Sequence, residues 1–284
     1  MSVRRRDLLL SGAGASLLPA HGALRRLRIP RVSARADMAH AYPALLLEQA
    51  LAAAGVAAEL VQTDELIPQN RALQALGRET DRLDVVWTMT TVEREQQARA
   101  VRVPLFKGLF SWRLLLAGPA MAERLRRVQT LEELRGFSLV QGLDWPDTEI
   151  LRANRLQVIA SPTYEAMFKQ LRLGRADAFP RSIEEVWWEH KRSGQGLVVV
   201  PDLCLHYPTA VFYFVGPADE ALGTAIELGL QRLRASGAFD RLFLKHHGED
   251  IARAQLGRRR VIELHNPLLP KQTPLDRAEL WFSP

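Results

Sequence analysis

Short apolar runs of strand length alternate with stretches of helical period along most of this chain, and glycines stop the helical stretches. Residues 27–32 read as a first strand. Leu45, Leu46, Ala50 and Ala53 then form one helical face ended by Gly55, and residues 56–61 read as a second strand. Residues 66–76 read as a helix stopped by Gly77, and residues 83–87 as a third strand that runs into Thr88, Thr90 and Thr91. This alternation predicts an α/β fold with mostly parallel sheets, in which ligands gather beyond the carboxyl ends of the strands.

The rhythm repeats further on. Residues 112–117 form a continuous apolar strand, residues 130–136 a short capped helix, and residues 137–141 another strand. The loop at 142–148 leads to a helix expected to start at Glu149 with Asp147 or Thr148 as its cap. Val158-Ile159 is a strand, and Ser161-Pro162 is expected to open a helix whose apolar face is Tyr164, Met167, Phe168 and Leu171. Strands at 176–179 and 197–200 flank a helix near residues 183–191. Residues 210–215 form a last apolar strand, and Asp219 caps a helix carrying Leu222, Ile226, Leu230 and Leu233 on one face. From Gly257 the chain carries four prolines and little periodicity, which predicts an extended surface segment.

Composition narrows the class. A chain of 284 residues with 47% hydrophobic and 25% charged residues is globular and long enough for two domains or two lobes. The single cysteine, Cys204, excludes an intrachain disulfide, cysteine-rich zinc sites and iron–sulfur clusters. The net charge of +6 comes from 38 cations, of which 33 are arginine and five lysine. Arginines cluster at 25–35 and 258–260 without the aromatic interleaving of a nucleic-acid surface, so no nucleic-acid partner is expected.

The first 23 residues have the build of an export signal. Arg4, Arg5 and Arg6 precede a short apolar stretch at 8–18, and Pro19 with Ala20, Gly22 and Ala23 forms a small-residue cleavage zone. The Arg5-Arg6-Asp7-Leu8-Leu9 run is similar to a twin-arginine signal. The stretch is too short for the roughly 20 apolar residues of a spanning helix. Removal of three arginines and one aspartate leaves 35 cations against 31 anions, a charge of +4, on an exported, soluble chain.

No catalytic constellation emerges. The seven histidines are scattered, and no His-x-x-x-His, Cys–His, Gly-x-Ser-x-Gly or phosphate-loop pattern occurs. Asp144 and Asp147 read as helix caps or as an acid/base pair. No catalytic residue, cofactor or metal is expected.

The order of the pieces resembles the bacterial extracellular solute-binding proteins of family 3, the amino-acid type with the type 2 periplasmic binding fold. The resemblance rests on the strand at 84–88 followed by Thr91-Val92-Glu93-Arg94, on Val140-Gln141-Gly142, on Leu173-Gly174-Arg175-Ala176-Asp177-Ala178, and on residues 236–242. It covers about residues 27–248 and implies a two-lobed clamp. The implied layout is a signal at 1–23, a discontinuous first lobe at 24–111 plus 207–256, a second lobe at 112–206, and a C-terminal tail at 257–284.

The resemblance also implies site residues. Arg94 takes the place of the family's arginine that pairs bidentately with a ligand carboxylate, next to Thr91 and Trp87. Gly142, Trp145 and Thr148 lie at the family's second ligand loop, where a helix N-terminus adds backbone donors. The sequence departs from the family where an acid holds an α-amino group: Ser182 stands there, beside Arg181, with Glu184 and Glu185 as substitutes. Arg94 and Arg181, with Arg113 and the tryptophans nearby, suit a carboxylate with an apolar or aromatic body.

The function implied is capture of a small anionic or zwitterionic solute by a monomer in the periplasm, and its delivery to the membrane permease of an ABC transporter. The alternatives are a dehydratase-like enzyme on the same scaffold and an orphan ligand sensor acting in trans. Replacing Arg94 by alanine is expected to weaken binding at least about tenfold while leaving the melting temperature of the empty protein nearly unchanged.

Overall fold

The structure is a computed structural model that describes residues 24–31, 38–78 and 83–284; the segment read as a signal, residues 1–23, lies outside them. The first lobe opens with β1 (Arg25–Ile29), α1 (Met38–Ala54), β2 (Ala58–Gln62) and α2 (Gln69–Gln74), followed by β3 (Val85–Met89), α3 (Val92–Gln97) and β4 (Arg99–Val101). β1 and β2 pair in parallel. Asp84 joins β1 to β3, because its backbone N–H donates to Arg28 O at 2.8 Å and its carboxylate accepts from Arg28 N at 2.8 Å.

The chain then crosses to a second lobe made of β5 (Trp112–Ala117), α4 (Pro119–Leu125), α5 (Leu131–Leu134), β6 (Ser138–Gly142), α6 (Pro146–Ala153), β7 (Gln157–Ser161), α7 (Tyr164–Arg172), β8 (Phe179–Ser182), α8 (Ile183–Ser193), β9 (Val198–Val199) and β10 (Leu203–His206). It returns to the first lobe as β11 (Val211–Val215), α9 (Glu220–Ala235) and α10 (Ala238–Ala254), and ends with β12 (Arg260–Glu263) and a tail.

The two strands that follow the crossings, β5 and β11, are buried on both faces, which is why all their residues but Arg113 are apolar. In β11, Val211, Tyr213 and Val215 face the core under α1 and α9, while Phe212 and Phe214 face the core under α2. In β5, Leu115 and Ala117 face one core and Leu114 and Leu116 the other. The sheets are mixed. β6 pairs with β7 and β10 with β12 in parallel, whereas β5 and β11, the strands that follow each crossing, run antiparallel to their neighbours.

The two crossings lie side by side. Ser111 Oγ donates to Thr209 O at 3.1 Å and accepts from Thr209 N at 3.0 Å, and Tyr207 N donates to Ser111 O at 3.1 Å. The first crossing turns through Lys107 (φ 47°) and Gly108 (φ 76°). Gly108 is required there twice over, since a Cβ would also sit 2.5 Å from the Trp281 ring.

Several local expectations shift. The helix expected from Glu149 starts at Pro146 with Trp145 as its N-cap, so Asp147 and Thr148 lie in its first turn. Proline at the first helical position costs no hydrogen bond, which favours the earlier start. The helix expected from Ser161-Pro162 begins at Tyr164, because the Thr163 side chain accepts from Ala166 N and caps it. The strand expected at 176–179 lies at 179–182. β10 and β12 went unread, the latter because it has only two apolar residues, Val261 and Ile262, between Arg260 and Glu263 at a sheet edge.

Candidate functional site

A cavity of about 270 Å³ lies between the lobes and takes its walls from both. The first lobe contributes Pro43 of α1, Gln69 of α2, Trp87, Thr88 and Met89 of β3, Val211 of β11, and Phe106 and Phe110 on the way to the crossing. The second lobe contributes Arg113 of β5, Trp145, Pro146 and Asp147 at the start of α6, Arg181 of β8, and Glu184 and Glu185 at the start of α8. One wall is therefore apolar and aromatic, the other charged.

The charged wall is a paired network. Arg113 is 1% exposed; its Nη2 lies 2.8 Å from Asp147 Oδ1 and its Nη1 3.5 Å from Glu185 Oε2. The Tyr207 hydroxyl donates to the same oxygen of Asp147. The Arg113 guanidinium also stands 5.6 Å from the Phe110 ring and 5.3 Å from the Tyr207 ring. Burial alone would lower its pKa, but Asp147, Tyr207 and Glu185 outweigh that and raise it.

Arg181 is held on both edges. Its Nε meets Glu189 Oε2 at 2.6 Å and its Nη2 meets Glu189 Oε1 at 2.7 Å and Glu185 Oε1 at 2.6 Å. Its plane stands 4.7 Å from the Trp145 ring and 4.9 Å from Phe179. Arg181, expected as a ligand-binding residue, lines the cavity, and its charge is taken up by two glutamates four and eight residues further on. Glu185 also accepts from Ser182 N at 3.2 Å and Ser182 Oγ at 2.8 Å. Burial would raise Glu185, but Arg181, Arg113 and Ser182 together hold it below the ordinary carboxylate range.

Glu184 differs from its neighbours. It is 4% exposed, lines the cavity, and has no hydrogen bond or ion pair among the described residues. Burial, and then repulsion from Glu185 and Glu189, raises its pKa well above the ordinary range.

Arg94 sits in the first lobe behind the cavity wall. The Thr91 side chain caps α3 by accepting from Arg94 N at 3.1 Å, which fixes the arginine at the third helical position. Its Nη1 donates to Thr88 Oγ1 at 2.7 Å and Met89 O at 2.9 Å, and its Nη2 to Asn70 Oδ1 at 3.0 Å and Gln69 Oε1 at 3.3 Å. All four acceptors are neutral, and no ion pair reaches Arg94 among the described residues. Burial lowers its pKa to about 10, partly offset by Asp147 and Glu93.

The seven expected site residues thus divide. Trp87, Trp145 and Arg181 line the interlobe cavity. Arg94 and Thr91 line an adjoining pocket of about 380 Å³, which shares Trp145 and Pro146 with the cavity and is also lined by Pro267 and Leu268 of the tail. Gly142 and Thr148 line neither: Thr148 Oγ1 donates to Gly142 O at 2.7 Å and shapes the loop. Gly142 makes room for Trp145, whose ring would lie 2.5 Å from a Cβ there.

No protein-family model matches the chain, and comparison with curated protein sequences gives no match. Solved structures do match. An ancestral arginine-binding protein bound to arginine aligns with a TM-score of 0.56 at 17% identity, over 78% of this chain and 97% of its own. A periplasmic binding protein of Salmonella typhimurium with high arginine specificity aligns with a TM-score of 0.54 at 16% identity, over 78% and 99%. A histidine kinase sensor domain with similarity to periplasmic binding proteins aligns with a TM-score of 0.56 at 18% identity, over 80% and 96%. The fold is that of a two-lobed periplasmic binding protein.

In that periplasmic-binding fold the cavity occupies the space between the lobes, and its charged wall comes from residues the sequence reading passed over. Glu189 went unremarked because its partner is set by the turn from β8 into α8. Gln69, Asn70, Phe106 and Phe110 gave no signal, since they belong to loops and short elements whose partners lie far away in the sequence. No helix among the described residues is long and apolar enough to cross a membrane, and no metal-holding cluster occurs among them. Cys204 is fully buried, and burial pushes its thiol up to about 12.

Proposed function

We propose that this chain is a solute-binding clamp, not an enzyme, that closes its two lobes on a small carboxylate-bearing organic molecule in the periplasm and delivers it to a membrane permease of the ABC type. The observation that carries the reading is the cavity itself. A solute there touches both lobes at once, so its binding energy favours the closed state over the open one.

The chemistry of the walls supports a particular orientation. Arg113 and Arg181 are matched by carboxylates of the protein, whereas Arg94 has only neutral partners. A solute carboxylate takes the Nη2 edge of Arg94 in place of the amide oxygens of Gln69 and Asn70, because a carboxylate is the stronger acceptor for a guanidinium. The apolar or aromatic body of the solute lies among Trp87, Phe106, Phe110 and Trp145. An ammonium group, where the solute has one, meets Glu184. The arginine-bound neighbour supports a binding role on this fold.

A thermal-shift screen against organic acids, amino acids and their aromatic derivatives tests this. A ligand at a hundred times its Kd adds about 2.7 kcal/mol, an upward shift easily read on a melting curve. Shifts confined to molecules without a carboxylate, or turnover of a bound compound followed by mass spectrometry, overturn the proposal. Fractionation of cells producing the full chain tests the periplasmic location.

A further inference from the structure

The tail beyond α10 touches more than one part of the fold. β12 pairs in parallel with β10 of the second lobe, from Leu203–Arg260 to His206–Glu263. Leu264 N then donates to His206 O at 2.7 Å, at the second crossing. Asn154, which ends α6 in the second lobe, grips the next residue on both sides: its Nδ2 donates to His265 O at 2.7 Å and its Oδ1 accepts from His265 N at 2.9 Å. Asn266 Nδ2 donates to Pro208 O of the crossing at 2.8 Å.

Three residues after His265 the tail is bonded to the other lobe. Leu268 O accepts from Val92 N, the first residue of α3, at 2.9 Å. The far end docks on the first lobe and the first crossing. Leu280 is buried in the first-lobe core, Phe282 N donates to Lys107 O at 2.7 Å, and the Trp281 ring covers Gly108.

We propose that residues 264–282 form a strap across the cleft, a tie additional to the two crossings and to the passage from α10 into β12, that limits how far the lobes open. The physical reason is length. Two crossings placed side by side define a hinge and resist little when the lobes rotate about it, but a backbone cannot stretch beyond about 3.6 Å per residue. The three-residue step from His265 to Leu268 therefore spans at most roughly 11 Å, so the lobes cannot part at this edge unless Leu268 leaves Val92 or residues 264–266 together leave His206, Asn154 and Pro208. The strap also walls the pocket of Arg94, two residues from Val92, so opening it and exposing that arginine are one event. A clamp restrained near its closed spacing loses less freedom on closure and holds its solute more tightly.

Interlobe distance measured by double electron–electron resonance on the solute-free protein tests the proposal, independently of the solute's identity. Spin labels on Leu228→Cys in α9 and Glu165→Cys in α7, both exposed, report the separation, while buried Cys204 stays unlabelled. The native strap gives one narrow distance. Inserting Gly-Ser-Gly-Ser between Asn266 and Pro267 keeps every anchor but lengthens the tie, and adds a population at least about 5 Å longer. If the lengthened chain does not fold, a chain ended at Asn266, which keeps the β10–β12 ladder and the anchors on His206, Asn154 and Pro208 but has no tie to Val92, gives the same added population. A folded variant of either kind with the native distance distribution overturns the strap.

Discussion

Arg113 on the first strand of the second lobe and Asp147 in the first turn of α6 form a buried ion contact of 2.8 Å at the floor of the interlobe cavity. Arg113 is 1% exposed, and Asp147 is shared with Tyr207 of the second crossing, so the contact ties the cavity floor to the hinge.

Removing one partner of such a pair leaves an uncompensated buried charge. Asp147→Asn is expected to lower stability by about 3 kcal/mol in urea unfolding, with Glu185 retaining part of the Arg113 charge. The double replacement Arg113→Met with Asp147→Leu recovers most of that loss, because two apolar side chains need no partner. A double variant as unstable as the single one contradicts this account.

Arg94 carries a structural load that its place in the sequence motif does not reveal. With Thr88, Met89, Asn70 and Gln69 all bonded to it, Arg94→Ala is expected to lower the stability of the empty protein by about 2 kcal/mol, against the unchanged melting temperature expected from sequence. Arg94→Lys keeps the charge and loses the bidentate edge. Its melting temperature stays within a few degrees of the native value, while solute affinity, measured by calorimetry, falls at least about tenfold.

Gly142 is the smallest residue beside the largest. A Cβ at this position meets three atoms of the Trp145 ring between 2.5 and 2.7 Å, so Gly142→Ala displaces the indole from the cavity and from Arg181. The expected result is a loss of about 1–3 kcal/mol and a changed tryptophan emission. An unaltered emission spectrum with native stability argues that the ring never packed there.

His247 links stability to pH. It is fully buried among Tyr42, Phe106 and Phe243, neither ring nitrogen has a hydrogen-bond partner among the described residues, and burial lowers its pKa from 6.5 to about 3. The unfolded chain binds a proton below pH 6.5 while the folded one does not until about pH 3. Stability is therefore full above pH 6.5 and falls by up to about 1.4 kcal/mol per unit as pH drops toward 3. His247→Phe removes this contribution, and melting temperatures measured between pH 7 and about 4 show a shallower acid-side decline than native; parallel curves refute the assignment.

Gly229 of α9 sets the distance between two helices. A Cβ there falls 1.8 Å from Ala50 O of α1, backbone that has no room to yield. Gly229→Ala is expected to cost at least about 3 kcal/mol by chemical unfolding, more than any exposed helix position gains from alanine's propensity.

Local chemistry made the elements legible. β5 at 112–117 was readable to the residue, since a strand buried on both faces is apolar at nearly every position, here all but Arg113, and this one is bounded by Gly108 and Gly118. The helix faces of α7 and α9 were readable for the same reason, one stripe of apolar side chains at helical spacing. Helix starts were less so, because Pro162 and Thr163 both carry start signals and only the hydrogen bond from Ala166 N decides between them.

By itself the sequence determined what repeats every few residues: the α/β rhythm, the strands and helix stripes, and the order of pieces, Thr91 and Arg94 at their spacing included, that resembles a two-lobed clamp. Only the tertiary structure decided which charges remain for a solute. Arg94 and Arg181 are alike in the sequence, yet one meets two glutamates across a strand-to-helix turn and the other meets four neutral oxygens brought from β3 and α2. The tail likewise read as an extended wrapping and became a tie between lobes. The reason is the same in each case: a side chain's charge is written locally, but its partners lie tens of residues away and are fixed only when two buried surfaces pack together.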